Sequence, residues 1–286
     1  MPNTEQSEYW DGAGGAHWAT EAEAYDRLNA AFAERIVARV APQAGERVLD
    51  VGCGNGALCL AAAPLVGAAG SVTGLDLSGP MLACARERVA AAGLDNVDLV
   101  QGDAQVVGLP DASFDAVVSR FGVMFFDDPV AAFSNVRRML RPGGRLVFAC
   151  WQAMPANEWI MVPVGAALAH VPVPPLGEPG APGPFALADP ERVQSVLDGA
   201  GFADVGLEDV KAPMQFGATV EETVAFFQGT EMASTLMKDV DPETVERAWA
   251  AVAEAVKPHL TADGVRLTGA AWLVTARNPC PSAHTD

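Results

Sequence analysis

Positive charge is scarce in this chain: 18 lysines and arginines stand against 36 aspartates and glutamates, a formal charge of −18. Such a surface repels a phosphate backbone on average, which argues against DNA or a large RNA as partner. The short basic runs, Arg86/Arg88 and Arg137/Arg138/Arg141, both fall on expected helices, where a solvated face explains them. An ordered cysteine pattern is also missing. Cys53, Cys59, Cys84, Cys150 and Cys280 are an odd set without CxxC spacing, so neither a disulfide framework nor a zinc site is expected, and no metal. No stretch approaches the roughly 18 unbroken apolar residues of a membrane span. The start, "MPNTEQSEYWDGAGG", lacks the basic-then-apolar layout of a signal peptide. The expectation is a cytoplasmic protein that neither crosses a membrane nor binds nucleic acid.

What is present is a core. Half of the 286 residues are hydrophobic, enough for one large α/β domain. Residues 21–40 space Leu28, Phe32, Ile36 and Val40 four apart, the stripe of an amphipathic helix. Strand and helix patterns then alternate: strands at 47–52, 71–77, 96–103, 114–121 and 145–151, with helices at 55–66, 79–92 and 129–140 between them. Ser78 and Asp128 stand at helix N-caps, Pro129 follows in a first turn, and "RPGG" at 141–144 reads as a turn. Such alternation predicts a mostly parallel, doubly wound sheet with helices on both faces. Beyond Trp151 the pattern loosens. Residues 171–190 read as a Pro/Gly-rich loop, 189–202 as a helix starting at Asp189, 204–212 as a strand, 219–260 as two or three helices, and 264–278 as a last strand.

The functional question lies in "RVLDVGCGNG", residues 47–56, where Gly52, Gly54 and Gly56 occupy a strand-to-helix turn. Glycine there permits close approach of a ligand to the backbone, and a helix N-terminus offers free N–H groups; a tight turn with no ligand explains the trio equally well. The other strand ends shift the balance, because ligands of doubly wound sheets bind outside the carboxyl ends of the strands. Strand two ends in Asp76, 20 residues beyond Gly56, where a carboxylate can accept ribose hydroxyls. Strand three ends in Gly102-Asp103-Ala104, strand four in Ser119-Arg120-Phe121, and strand five in Trp151. Two acids, glycines and aromatics on one rim point to a nucleoside. A dinucleotide remains the competing ligand. Against it, the third glycine comes two residues after the second instead of three, and neither Tyr9 nor Tyr25 has the lysine four positions on that a short-chain dehydrogenase uses.

"VLDVGCGNG", "VTGLDLS", "GDAQVVGLPDASFDAVVSRFGVMFF" and "LRPGGRLVFACW", in this order, resemble the successive motifs of class I S-adenosylmethionine-dependent methyltransferases over about residues 45–151. Within that class the chain is similar to the small-molecule branch related to ubiquinone and menaquinone C-methyltransferases and to bacterial natural-product methyltransferases. The sequence after strand four departs from the quinone enzymes. The resemblance implies one methyltransferase domain over residues 1–286: a seven-stranded sheet with a reversed last strand, and an N-terminal helical lid at 1–40. It further implies a cofactor-binding core at 45–151, a segment over the acceptor pocket at 152–188, and a helical cap or dimer surface at 219–260.

It also implies roles. Gly52, Cys53 and Gly54 would face the methionine moiety of S-adenosylmethionine, with Asp50 ordering that turn. Asp76 would hold the ribose, Leu77 and Met81 would flank adenine, Asp103 would accept from its amine with Ala104 beneath the ring, and Ser119 would lie near the methionyl amine. Trp18, Phe121, Met124, Phe125, Trp151 and Trp159, with Met161, would line an apolar, aromatic acceptor pocket. For a base, Tyr25 and His17 on the lid are the candidates, with His170 a weaker one; His284 lies in the tail. The activity implied is transfer of a methyl group to a small hydrophobic or aromatic metabolite on carbon, nitrogen or oxygen, leaving S-adenosylhomocysteine. A protein that binds the cofactor without turnover, as regulator or scaffold, and an NAD-linked oxidoreductase are the alternatives.

Overall fold

A computed structural model describes residues 3–173 and 180–280. Three helices open the chain, α1 (Thr4–Asp11), α2 (Ala13–Thr20) and α3 (Ala22–Val40). The alternating core follows: β1 (Arg47–Val51), α4 (Ala57–Val66), β2 (Ser71–Asp76), α5 (Gly79–Ala91), β3 (Val97–Gln101), β4 (Phe114–Arg120), α6 (Pro129–Met139) and β5 (Leu140–Trp151). The remainder comprises α7 (Glu158–Ala167), α8 (Pro190–Gly199), β6 (Ala203–Gly217), α9 (Val220–Gln228), α10 (Glu231–Leu236), α11 (Pro242–Val256), β7 (Leu260–Thr261) and β8 (Gly264–Arg277).

The strands form one sheet in the order β3-β2-β1-β4-β5-β8-β6. Strands β1 to β5 pair in parallel, whereas β8 runs antiparallel between β5 and β6. The chain order therefore reverses between β1 and β4, and the C-terminal ends of those two strands make the crevice where such sheets take ligands. The α/β class, the parallel core and the reversed last strand are as the sequence predicts. The strand count is not. An eighth strand, the two-residue β7, forms a hairpin with the start of β8, Thr261 opposite Gly264. Leu260 ends the preceding helical pattern without a signal of its own, which is why the sequence assigns it to a helix. The "RPGG" run also belongs to β5, which begins at Leu140 and bends where Gly143 takes φ 75°.

Local chemistry sets the boundaries. Asp128 Oδ1 accepts from Ala131 N–H at 2.9 Å, Asp189 Oδ1 from Glu191 N–H at 2.9 Å, and Ser78 Oγ from Met81 N–H at 3.2 Å, each satisfying an orphan donor in a helix's first turn. The main core is continuous from Phe32 and Ile36 on α3 through Leu49 on β1 to Phe133 on α6 and Phe148 on β5, all almost wholly buried. A smaller cluster joins Ala167 and Val171 to Ala248, Val252 and Val256 of α11. Residues 219–260 thus hold three helices, and α11 packs on α7 from outside that segment. Part of the Pro/Gly-rich loop (174–179) and His284 lie outside the described residues. Among the described residues no helix is long and apolar enough to cross a membrane.

Candidate functional site at the strand ends

The three glycines of the β1–α4 turn all have left-handed backbones, with φ of 67° at Gly52, 51° at Gly54 and 80° at Gly56. Side-chain-bearing residues adopt that region at a cost, so the turn itself demands glycine. Close contact adds a reason at Gly52, where a Cβ would stand 2.7 Å from Gly122 Cα, whereas at Gly54 the nearest atom would be Met81 Sδ at 3.5 Å. Gly54 is the open position of the three.

Four of the five N–H groups of residues 52–56 are engaged within the fold. Gly52 and Cys53 N–H both donate to Leu75 O at 2.8 and 3.1 Å, Gly56 N–H donates to Cys53 O at 2.9 Å, and Gly54 N–H donates to Asp76 Oδ2 at 2.7 Å.

The acids converge there. Asp50 is 1% exposed, and its Oδ2 accepts from the Cys59 thiol at 3.4 Å while Oδ1 has no hydrogen-bond partner among the described residues. Burial pushes its carboxyl up to about 7, and the nearby Arg120 charge and the Cys59 hydrogen bond pull in the opposite direction. Asp76, also buried, holds Gly54 N–H and accepts from Ser78 N–H at 2.9 Å; burial raises its carboxyl, opposed by those backbone N–H groups. Asp103 accepts Gln105 N–H at 2.9 Å and Gln105 Nε2 at 3.0 Å, and Ala104 O takes Asn135 Nδ2 at 2.8 Å. Leu77 O is held by Gln101 Nε2 at 3.0 Å. Ser119 Oγ on β4 is buried without a partner among the described residues.

The first two helices lie across these groups. Asp11 Oδ1 accepts from Gly79 N–H at 2.7 Å and from Gln101 Nε2 at 2.9 Å, and Asn55 Nδ2 donates to Trp18 O at 2.8 Å. Gly15 lets α2 approach α5: a Cβ there would fall 2.2 Å from Ser78 Oγ. Tyr25 stacks on Trp18, centroids 3.6 Å apart, and its hydroxyl lies 3.3 Å from His17 Nε2. Burial, then the charge of Glu21, pushes the Tyr25 phenol up to about 12. It stays protonated at neutral pH, within hydrogen-bond reach of His17. The two sequence candidates for a base thus form one pair.

The aromatic residues divide into two groups. Phe121 stacks on Trp151 at 3.9 Å, Trp159 follows at 5.3 Å, and Phe32 wedges against both members of the stack. Met124 joins this group through its Sδ, which accepts from Trp151 N–H at 3.4 Å. Phe125 instead meets Trp10, which bridges it to Trp18 and so to Tyr25. Met161 joins neither: it faces outward from α7, 42% exposed, because Ile160 and Pro163 occupy that helix's buried face. His170 is exposed as well. Trp10, Asp11 and Phe226, which packs on Tyr25 at 5.7 Å, were not singled out by sequence reading. The Gly14-Gly15 pair, a mark of close helix approach, was the available signal. Phe121 also has φ 64°, rare for an aromatic residue, and marks the end of β4 as a strained rim position. Among the described residues no group of three or more His, Cys, Asp or Glu could hold a metal.

A family model described as a methyltransferase domain matches residues 49–148, the stretch that holds every one of these strand ends but Trp151. Over those residues the chain is similar to a methyltransferase domain. It is similar to aklanonic acid methyltransferase DauC of Streptomyces sp. (strain C5), 41% identical over 128 residues, 43% of this chain and 58% of that protein. Demethylmenaquinone methyltransferase of Geobacillus kaustophilus is 37% identical over 131 residues, 43% of this chain and 56% of that one. The matched stretch therefore spans a little over half the length of these relatives. Among solved structures, phosphoethanolamine N-methyltransferase 2 of Haemonchus contortus in complex with S-adenosyl-L-methionine superposes with TM-score 0.58 at 20% identity, covering 96% of this chain and 60% of that one. At that identity the likeness establishes the fold.

Proposed function

We propose that the protein transfers a methyl group from S-adenosylmethionine to a small hydrophobic or aromatic acceptor. The observation that carries this reading is the buried Asp50 carboxyl behind the β1–α4 turn, whose Oδ1 has no partner among the described residues. That acceptor suits an amino-acid ammonium. Asp76 at the end of β2 and Asp103 beyond β3 suit ribose hydroxyls and an adenine amine, Met81 and Leu77 flank that position, and Gly52, Cys53, Gly54 and Ser119 border the methionyl end.

Bound S-adenosylmethionine supplies a methyl group on a sulfonium, whose departure as a neutral thioether drives transfer. The protein's share is positioning, which supplies on the order of 7–11 kcal/mol in favourable systems. Helices α1 and α2, with the helices of 219–260, act as covers that exclude water. Phe121, Trp151 and Trp159 on one side, and Trp18 with Phe125 on the other, offer flat apolar surface to a ring-bearing acceptor. Tyr25 and His17 handle the acceptor's proton: the phenol oxygen takes it while passing its own to His17 Nε2. The names of the relatives, an aklanonic acid and a demethylmenaquinone methyltransferase, support a small-molecule acceptor.

The test is incubation with methyl-labelled S-adenosylmethionine and a panel of fused-ring phenols. Label recovered in an extractable product, lost at least tenfold in Tyr25→Phe, supports the reading. Tight cofactor binding with no label transferred across the panel favours a cofactor-binding protein without turnover.

A further inference from the structure

Arg120 stands on the rim, the last residue of β4. The parallel register pairs Asp50 with Val118, and two residues further along each strand it sets Arg120 level with Gly52. By the alternation of a strand, its side chain leaves the sheet on the same face as Asp50. There the guanidinium lies beneath α3, 15% exposed, and Nη2 donates to Asp26 Oδ1 at 2.9 Å. Asp26 is shared: its other oxygen takes Arg88 Nη2, and Arg88 also donates to Asn55 O at 2.7 Å. One carboxylate thus faces two guanidiniums beside the glycine turn.

The two arginines differ in what they have left. Arg88 is committed to both Asp26 and the carbonyl that ends the glycine turn. Among the described residues, Arg120 has only its one bond to Asp26, so Nε and Nη1 remain as donors. A largely buried guanidinium with donors to spare, fixed by a carboxylate behind it, is a receptor for a small planar anion. The unpartnered Asp50 Oδ1, an acceptor suited to an ammonium, belongs to the same neighbourhood, since Arg120's charge is felt at Asp50. An acceptor and a guanidinium set side by side match the two ends of a zwitterion.

We propose that Arg120 binds the α-carboxylate of the cofactor's methionine moiety, with Asp26 as the positioning residue that aims it. This rests on the S-adenosylmethionine reading and extends it to a residue for which sequence gave no role.

The test is calorimetric titration of the full chain with S-adenosylhomocysteine and with its decarboxylated analogue, S-(5′-adenosyl)-3-thiopropylamine. Wild type should bind the analogue about 30-fold more weakly, the scale of a charge-assisted hydrogen-bonded contact. Arg120→Met should lose that much affinity for S-adenosylhomocysteine while keeping its affinity for the analogue within threefold; Arg120→Lys should fall between. Equal wild-type affinity for both ligands overturns the proposal without any variant, and so does an Arg120→Met protein that weakens both ligands alike. A wild type that binds neither refutes the cofactor reading itself, a distinct result.

Discussion

Gly52 and Gly122 meet backbone to backbone: a Cβ on Gly52 would lie 2.7 Å from Gly122 Cα, and one on Gly122 would lie 2.8 Å from Gly52 Cα. The end of β1 and the loop after β4 are thereby pressed together at the crevice of the sheet. Gly52→Ala should cost on the order of 3 kcal/mol in chemical denaturation, combining left-handed strain with a clash that neither backbone can relieve. Gly54→Ala meets only an ordinary contact and should cost about 1–2 kcal/mol, yet reduce S-adenosylhomocysteine affinity at least tenfold. Equal stability losses at the two positions would contradict this division of labour.

Asp76 both shapes the turn and faces the expected ribose. Asp76→Ala should weaken S-adenosylhomocysteine binding by about 1.5–3 kcal/mol, the range for a hydrogen bond to a charged group. Because Gly54 N–H and Ser78 N–H lose their acceptor, the melting temperature should fall too. An unchanged affinity removes the ribose assignment.

Asp50 makes stability depend on pH in an unusual direction. Its folded carboxyl lies at about 7 against an ordinary 3.8, so between those values the folded chain holds a proton that the unfolded chain has released. Its contribution is therefore full below the ordinary value and is lost as pH rises towards 7. The stability of wild type relative to Asp50→Asn, from urea denaturation at pH 5 and pH 8, should decline with pH. A flat difference would mean that Asp50 is ionised throughout.

Helices α1 and α2 are fastened by exposed hydrogen bonds to Asp11. Each is worth about 1 kcal/mol, so Asp11→Ala should loosen these helices without unfolding the sheet. Hydrogen exchange over residues 4–20 should accelerate several-fold while β1 and β4 stay protected. Uniform acceleration would make these helices part of the cooperative core.

The parallel core was legible because its signals are local. Alternating apolar runs, Ser78, Asp128 and Asp189 at caps, and glycine at turns each act within a few residues. The site was legible only in part. Asp50, Asp76 and Asp103 announce themselves at strand ends, and Tyr25 and His17 were found as separate candidates, but their 3.3 Å pairing depends on how α2 meets α3. The Gly52 and Cys53 N–H groups are held by Leu75 of β2, a tertiary relation that no motif encodes. Met161 was misplaced because apolar character does not say which side of α7 it occupies. Arg120 went without a role because its partner Asp26 lies 94 residues away.

The central claim is that the crevice holds a sulfonium nucleoside with an amino-acid end. Calorimetric titration of the purified protein with S-adenosylhomocysteine, with NADH as control, tests it most directly. The account predicts saturable one-to-one binding of S-adenosylhomocysteine and no heat from NADH. Saturable binding of NADH, with none of S-adenosylhomocysteine, would contradict it.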